Sequence, residues 1–222
     1  MKTNGWVEAA EIIYPHVAKL EMPDSAGSGF YIATRTVKKE KRAVIATAAH
    51  VIEHAFKWAE PIRLTGHKSS TMLMPGQYEM QSSDGLDLAI IEVPWEAVDF
   101  PAQPLPTANP KDVLPTGSPI AWCGFPNIVE GINCLFSGHI SACVVSNGDY
   151  LIDGVVIHGV SGGPAFLYDG GEITIIGLLT QYLPNRQTGE SLPGLGVVRR
   201  INPLTEYFDD QAKAGKRKAR RK

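Results

Sequence analysis

The stretch HGVSGGPAF, residues 158–166, sets one hydroxyl among three glycines and ends the turn with a proline. Glycine is used where the backbone must adopt conformations or close approaches that a side chain forbids. A turn needs one or two such residues, so three around Ser161 imply that its hydroxyl and the neighbouring amides are aimed at something. A serine hydroxyl becomes a nucleophile only beside a base, and that base must be oriented by a third group. The tetrahedral intermediate of acyl transfer also needs donors already in place for its oxyanion. The amides of Gly159 and Ser161 can converge on one point, and Gly162 and Gly163 leave room for a substrate main chain. The stretch makes chemical sense as half of an acyl-transfer site.

The other half requires a histidine and a carboxylate. TAAHV (47–51) closes the apolar run RAVIATAA and places His50 where a strand gives way to a short helix. Asp87 opens the strand-like DLAII (87–91), so its carboxylate sits at a strand end within reach of a neighbouring loop. Asp84 is the weaker choice, because SSDG reads as a turn. His139 and His158 lie near the proposed site and read as hydrogen-bonded structural residues. A rival motif overlaps His50: HVIEH (50–54) fits the H-x-x-E-H pattern of a zinc peptidase. It would place His50 and His54 on one helix face with Glu53 as base. That reading needs a long helix and a third ligand, and the downstream sequence is strand-like and proline-rich.

Around these residues the chain reads as all-β. Short β-branched and apolar runs such as GSGFYIATR, LDLAIIEV, SPIAWCGF and EITIIGLLTQYL are separated by Gly, Pro, Asn, Asp and Ser, as in a barrel or sandwich. Residues 7–14, VEAAEIIY, suggest a short N-terminal helix ended by Pro15. KKEKR (38–42) suits a solvent-exposed hairpin tip. The proline-rich 94–115 reads as the connection between an N-terminal lobe (about 15–93) and a C-terminal lobe (about 116–204).

Taken in order, GSGF (27–30), TAAHV, DLAII and GVSGGPAF resemble the trypsin-like serine proteases, most nearly the HtrA/Deg type. GSPIAWCGFP (117–126), FSGHISA (136–142) and GLGVVRRI extend the likeness from about Ala9 to Leu204. The resemblance implies two six-stranded antiparallel β-barrels packed face to face, with the site between them and residues 1–211 as the protease domain. It implies Ser161 as nucleophile, His50 as general base and then acid, and Asp87 as orienter of the imidazole. Gly159 and Ser161 would form the oxyanion hole. Thr180, Gln181 and Tyr182 would pair with substrate backbone by strand addition. Val155 and Val156 would border a primary specificity pocket without an acidic residue, suited to small or medium aliphatic side chains. Polypeptides are the implied substrates, with no metal or cofactor. A catalytically silent peptide-binding module on the same fold is the alternative. Two departures stand out. Val160 replaces the polar or acidic residue usual before the serine, which argues against activation by a newly cut N-terminus. The chain also ends about 20 residues after the last family strand, so the PDZ domain usual in HtrA proteins is not expected.

Bulk composition fits this reading. The 222 residues, 44% hydrophobic, can bury a sizeable core, and no run approaches a membrane span. The N-terminal residues do not read as a secretory signal, so the expected location is cytoplasmic. Cys123, Cys134 and Cys143 are odd in number and lack a C-x-x-C spacing, so reduced core or near-core residues are expected. The net charge of −2 hides a split: residues 212–222 carry seven basic residues, leaving 14 basic against 23 acidic in the rest. That block is expected to be a disordered tail, able to contact nucleic acid or another acidic surface.

Overall fold

The computed structural model describes residues 5–83, 85–109, 111–144, 148–184, 191–202 and 204. Asp84, the tail 212–222 and the side chain of Tyr182 lie outside what is described. The chain opens with helix α1 (Gly5–Ile13), which buries Ala9 and Ile13 one turn apart. Pro15 has no N–H to continue the helix, and Tyr14–His16 tighten into a 3₁₀ turn.

Seven strands form the first lobe: β1 (Val17–Glu21), β2 (Ala26–Val37), β3 (Glu40–Thr47), β4 (Ile62–Thr65), β5 (Ser70–Leu73), β6 (Glu79–Ser83) and β7 (Leu88–Pro94). Helix α2 (Ala49–Trp58) is inserted between β3 and β4. The sheet order is β5-β4-β1-β2-β3-β7-β6, with antiparallel neighbours throughout. Where the resemblance implies six strands closed into a barrel, this lobe has seven in an order that ends on β5 and β6. Both end strands are short and largely polar or solvent-facing, so little apolar surface drives them to close on each other. Lys38 and Lys39 make the two-residue β2–β3 turn, both with positive φ, as hairpin turns of this length require.

The second lobe is a closed six-stranded barrel of β8 (Pro119–Gly124), β9 (Cys134–Cys143), β10 (Tyr150–Asp153), β11 (Pro164–Asp169), β12 (Glu172–Pro184) and β13 (Ser191–Arg200), in the order β10-β13-β12-β11-β8-β9. Alternation along β8 explains its continuously apolar sequence. Ile120 and Trp122 point into the barrel, while Ala121 and Cys123 point outward into a core shared with the first lobe. Phe166, Ile173, Ile175 and Leu178 join that shared core. Each such side chain contributes about 1.5–3 kcal/mol on full burial, so the lobes are welded by hydrophobic core.

The connection 94–115 is more ordered than its proline content suggests. Trp95–Ala97 form a 3₁₀ turn, and Tyr31 packs against both Trp95 and Phe100. Farther along, Thr107 makes a parallel bridge to Ile175 in β12. Cys123 is buried, Cys134 and Cys143 are half-buried, and all three are free thiols. Among the described residues no helix is long and apolar enough to cross a membrane.

Candidate active site

His50 lies in the first turn of α2, and Asp87 immediately precedes β7. The helix has no side-chain cap of its own, since its N-cap is Ala48. Asp87 supplies the missing acceptors from across the sheet. Its carbonyl accepts the Ala49 N–H at 3.3 Å, and its Oδ1 accepts the His50 N–H at 3.0 Å. A carboxylate there also meets the positive end of the helix dipole. The same carboxylate faces the imidazole, with His50 Nδ1 at 3.0 Å from Oδ1 and 2.9 Å from Oδ2. With Nδ1–H donated to Asp87, the lone pair of Nε2 is left free to act as a base. Asp87 reaches this position with φ +50°, a conformation aspartate tolerates better than most residues.

The Ser161 turn comes from the second lobe and is seated on the strand end that leads to His50. Ser28 N–H donates to the Ser161 carbonyl at 2.8 Å. Gly162, at φ +82°, presses so closely on this strand end that a methyl group would overlap the Ser28 carbonyl oxygen and Thr47 Oγ1, and would lie 3.0 Å from the Ala48 nitrogen. On the other side, Gly27 is wedged between Val51 of α2 and the Ser161 carbonyl. The turn therefore lies against the residues flanking His50. Among the described residues, no hydrogen bond joins Ser161 Oγ to His50.

The backbone of the turn is bonded almost throughout. The His158 carbonyl accepts the Asn127 N–H at 2.9 Å, and the Gly159 carbonyl accepts Ser28 Oγ–H at 2.7 Å. Val160 N–H donates to Ile157, Gly162 N–H to Leu179 and Gly163 N–H to Val160. Of the amides from Gly159 to Gly163, two are left without a hydrogen-bond partner among the described residues, those of Gly159 and Ser161. Because a trans peptide sets C=O and N–H on opposite sides, the bond from Asn127 to the His158 carbonyl turns the Gly159 N–H the other way. Gly159 itself has φ +94°, and a side chain there would overlap the Phe125 carbonyl and Asn127.

A family profile described as trypsin-like peptidase domain matches residues 27–178, over half of the chain and across all of these elements. The chain belongs to the trypsin-like peptidase family. This peptidase domain is similar in fold to several solved proteases. A serine endoprotease from Yersinia pestis matches with a TM-score of 0.68 at 20% identity, over 97% of this chain and 69% of that one. Deg5 gives 0.66 at 20% identity over 91% of each chain, and the Rv3671c protease in an inactive form gives 0.60 at 19% over 89% of each. No curated sequence matches the peptidase domain.

The remaining residues singled out in the sequence differ in exposure and in what they bond. Val155 is half exposed, and its carbonyl accepts the Trp122 indole N–H at 3.0 Å. Val156 is buried against Gly196, where a methyl group would overlap it. Thr180 turns its side chain inward, with Oγ1 at 3.5 Å from the Val197 carbonyl, so what it offers a ligand is backbone. Gln181 is exposed. Beyond Leu179, β12 pairs with β13 on one side only, which leaves the edge toward Ser161 unpaired among the described residues. His139 pairs with the Asp153 carboxylate at 3.6 Å.

The HVIEH motif does not converge on one point. His50 is engaged by Asp87, Glu53 by Lys57 one turn on, and His54 by Glu60 at 2.9 Å with Asp24 at 3.7 Å. Helix α2 has ten residues and ends at Ala59, whose φ of +51° stops it. Burial pushes the Cys123 thiol far above its usual range, which makes it a packing residue rather than a nucleophile. Sequence reading assigned no role to Ser28, Thr47 or Asn127. The signal available for Ser28 was its place between two glycines in GSGF.

Proposed function

We propose that this peptidase is a serine endopeptidase that hydrolyses peptide bonds through a Ser161–His50–Asp87 triad and an acyl-enzyme. The observation that carries the reading is the His50 imidazole, held through Nδ1 by both Asp87 oxygens on the strand end against which the Ser161 turn is packed. Nε2 takes the Ser161 hydroxyl proton as Oγ attacks the substrate carbonyl carbon. The oxyanion is met by the Gly159 and Ser161 amides, the two the turn leaves unbonded. His50 then delivers its proton to the departing amine, and the C–N bond breaks to leave an ester on Ser161. Water, deprotonated by His50, attacks that ester, and the acid product leaves with Oγ reprotonated. Substrate backbone would add to the unpaired edge of β12 at Thr180, Gln181 and Tyr182. Its side chain before the scissile bond would enter beside Val155 and Val156. A cavity of about 340 Å³ lined by His50, Ile52, Phe56, Ser83 and Asp87 offers room for a further substrate side chain.

The test is labelling by a fluorophosphonate probe of wild type, Ser161→Ala and His50→Ala, with and without EDTA. Labelling of wild type alone, indifferent to the chelator, is the expected result. A folded wild type that takes up no label overturns the reading in favour of the silent peptide-binding module. Loss of labelling on chelation, restored by zinc, would instead favour the metal reading.

A further inference from the structure

We propose that Ser28 is a positioning residue for the oxyanion donors, acting on the nucleophile turn from the opposite lobe. The inference rests on the acyl-transfer reading above. Ser28 lies in β2, is completely buried, and has every polar atom engaged. Its N–H donates to the Ser161 carbonyl at 2.8 Å, and its Oγ–H donates to the Gly159 carbonyl at 2.7 Å, 131 residues away in sequence. The same Oγ accepts the Phe125 N–H at 2.9 Å, on the loop that also carries Asn127. The Ser28 carbonyl accepts Thr47 Oγ1–H at 2.7 Å, which ties it to the strand leading into His50.

The residue thus grips the turn on both sides of Val160. The Gly159 carbonyl is the acceptor of the Gly159–Val160 peptide, and the Ser161 carbonyl is that of Ser161–Gly162. Fixing one carbonyl fixes the orientation of its planar peptide unit, because rotation is confined to the flanking φ and ψ. With the His158 carbonyl held by Asn127, three peptide units of the turn are oriented by groups outside it. The two amides left over are those needed for an oxyanion. Glycine-rich backbone would otherwise rotate freely at little cost, and Gly159 is already at a positive φ open to few other residues.

Space has been made for the hydroxyl. A methyl group at Gly124 would come within 2.6 Å of Ser28 Oγ and 3.1 Å of the Val160 Cα. Gly124 therefore lets the barrel wall and the turn close around the Ser28 side chain. Removing that hydroxyl leaves the Gly159 carbonyl and Phe125 N–H buried without this partner, and both can regain one only if the turn moves. The donors would then be present but no longer held at the positions where charge develops.

The experiment compares Ser28→Ala with wild type and with Ile62→Ala, a buried substitution on β4, which β1 separates from β2, as a control for lost stability alone. Rates are normalised to active sites titrated to completion with a fluorophosphonate. For Ser28→Ala we expect kcat per titrated site to fall about 10–100-fold with KM changed less than about twofold, somewhat under the effect of deleting a donor outright. Affinity for a peptide boronate, whose adduct places an oxygen in the oxyanion hole, should fall by the same factor as kcat/KM. Affinity for the cleaved peptide product should stay within twofold. Ile62→Ala should lower Tm without changing kcat per site. Ser28→Thr restores the hydroxyl and should recover at least part of the rate if it folds; Thr47→Val tests the grip from its other end. Wild-type kcat per site in Ser28→Ala, or equal losses of boronate and product affinity, overturns the inference while leaving the triad intact. If wild type itself neither labels nor turns over, the acyl-transfer reading fails first.

Discussion

Replacing Gly162 by alanine tests directly whether the Ser161 turn is pressed onto the strand end that precedes His50. Gly162 has φ +82°, where an L residue costs about 1–2 kcal/mol. The new methyl would also overlap the Ser28 carbonyl oxygen and Thr47 Oγ1, both on strands that cannot swing away. Overpacking of that kind costs about 1–3 kcal/mol. Reduced freedom of the unfolded chain returns about 0.4–1 kcal/mol. The expected net loss is about 2–4 kcal/mol, which for a domain of this size lowers Tm by roughly 4–16 °C. Gly76→Ala is the matched control, because Gly76 has φ +90° but no atom within 4 Å of the added methyl. Its loss should stay near 1 kcal/mol, or about 2–4 °C. Calorimetry or urea unfolding reads both, and the gap between them is the steric contribution of the packed turn. Equal losses in the two variants would refute the packing from which the site geometry is argued. Gly162→Ala should also lower the titre of fluorophosphonate-reactive sites, and Gly76→Ala should not.

Three further outcomes follow from the same structure. Asp87→Asn keeps the size of the side chain but puts an amide against His50 Nδ1, so kcat should fall by roughly 10³–10⁴-fold at neutral pH; activity within tenfold of wild type would remove Asp87 from the mechanism. His16 is buried, with Nδ1 and Nε2 at 3.1 and 3.2 Å from the Ile12 and Gln103 carbonyls. Burial holds its pKa below the ordinary histidine value despite those carbonyls. The unfolded chain therefore binds more protons just below about pH 6.5, and stability falls there as pH drops, by at most about 1.4 kcal/mol per unit. Denaturant melts between pH 5 and 7 should show that slope reduced in His16→Gln. In a peptide library, valine, alanine or leucine before the scissile bond should exceed arginine in kcat/KM, because Val155 and Val156 offer apolar surface and no carboxylate to pair with a cation; a preference for arginine refutes that assignment.

Local pattern was enough for most of the strands and for the strand ends that bring His50 and Asp87 together. The apolar run before His50 and the one after Asp87 are strands whose ends must meet, because β3 and β7 are sheet neighbours. Three glycines around one serine announced the turn because the constraint on them is local and steric. What stayed hidden depends on distance in the chain. Ser28 is 131 residues from the carbonyl it holds, and the glycines on either side of it mark a close approach without saying which distant group its hydroxyl meets. The parallel bridge from Thr107 to Ile175 joins a proline-rich run to β12, two strands away in the barrel from the β8 it leads into, a pairing no periodicity announces. Thr180 was singled out, but the direction of its side chain was hidden for another reason. The register of β12 shifts between Leu179 and Gln181, so two-residue alternation, which decides which side chain faces a ligand, breaks where it was needed.

The divided origin of the site bears on what happens while the chain is being made. His50 and Asp87 belong to the half synthesised first, and Ser161 to the half that follows. The strand that steadies the serine turn, β2, is also in the early half, and it has nothing to hold until the barrel closes on it. Under the proposed mechanism, a nascent chain stalled before residue 158 carries a base without a nucleophile. One that has extended through the turn but not docked it carries a nucleophile without aligned donors. Under the proposed mechanism, hydrolytic power arrives only with the finished fold, which protects a chain in synthesis, and its neighbours, from its own chemistry.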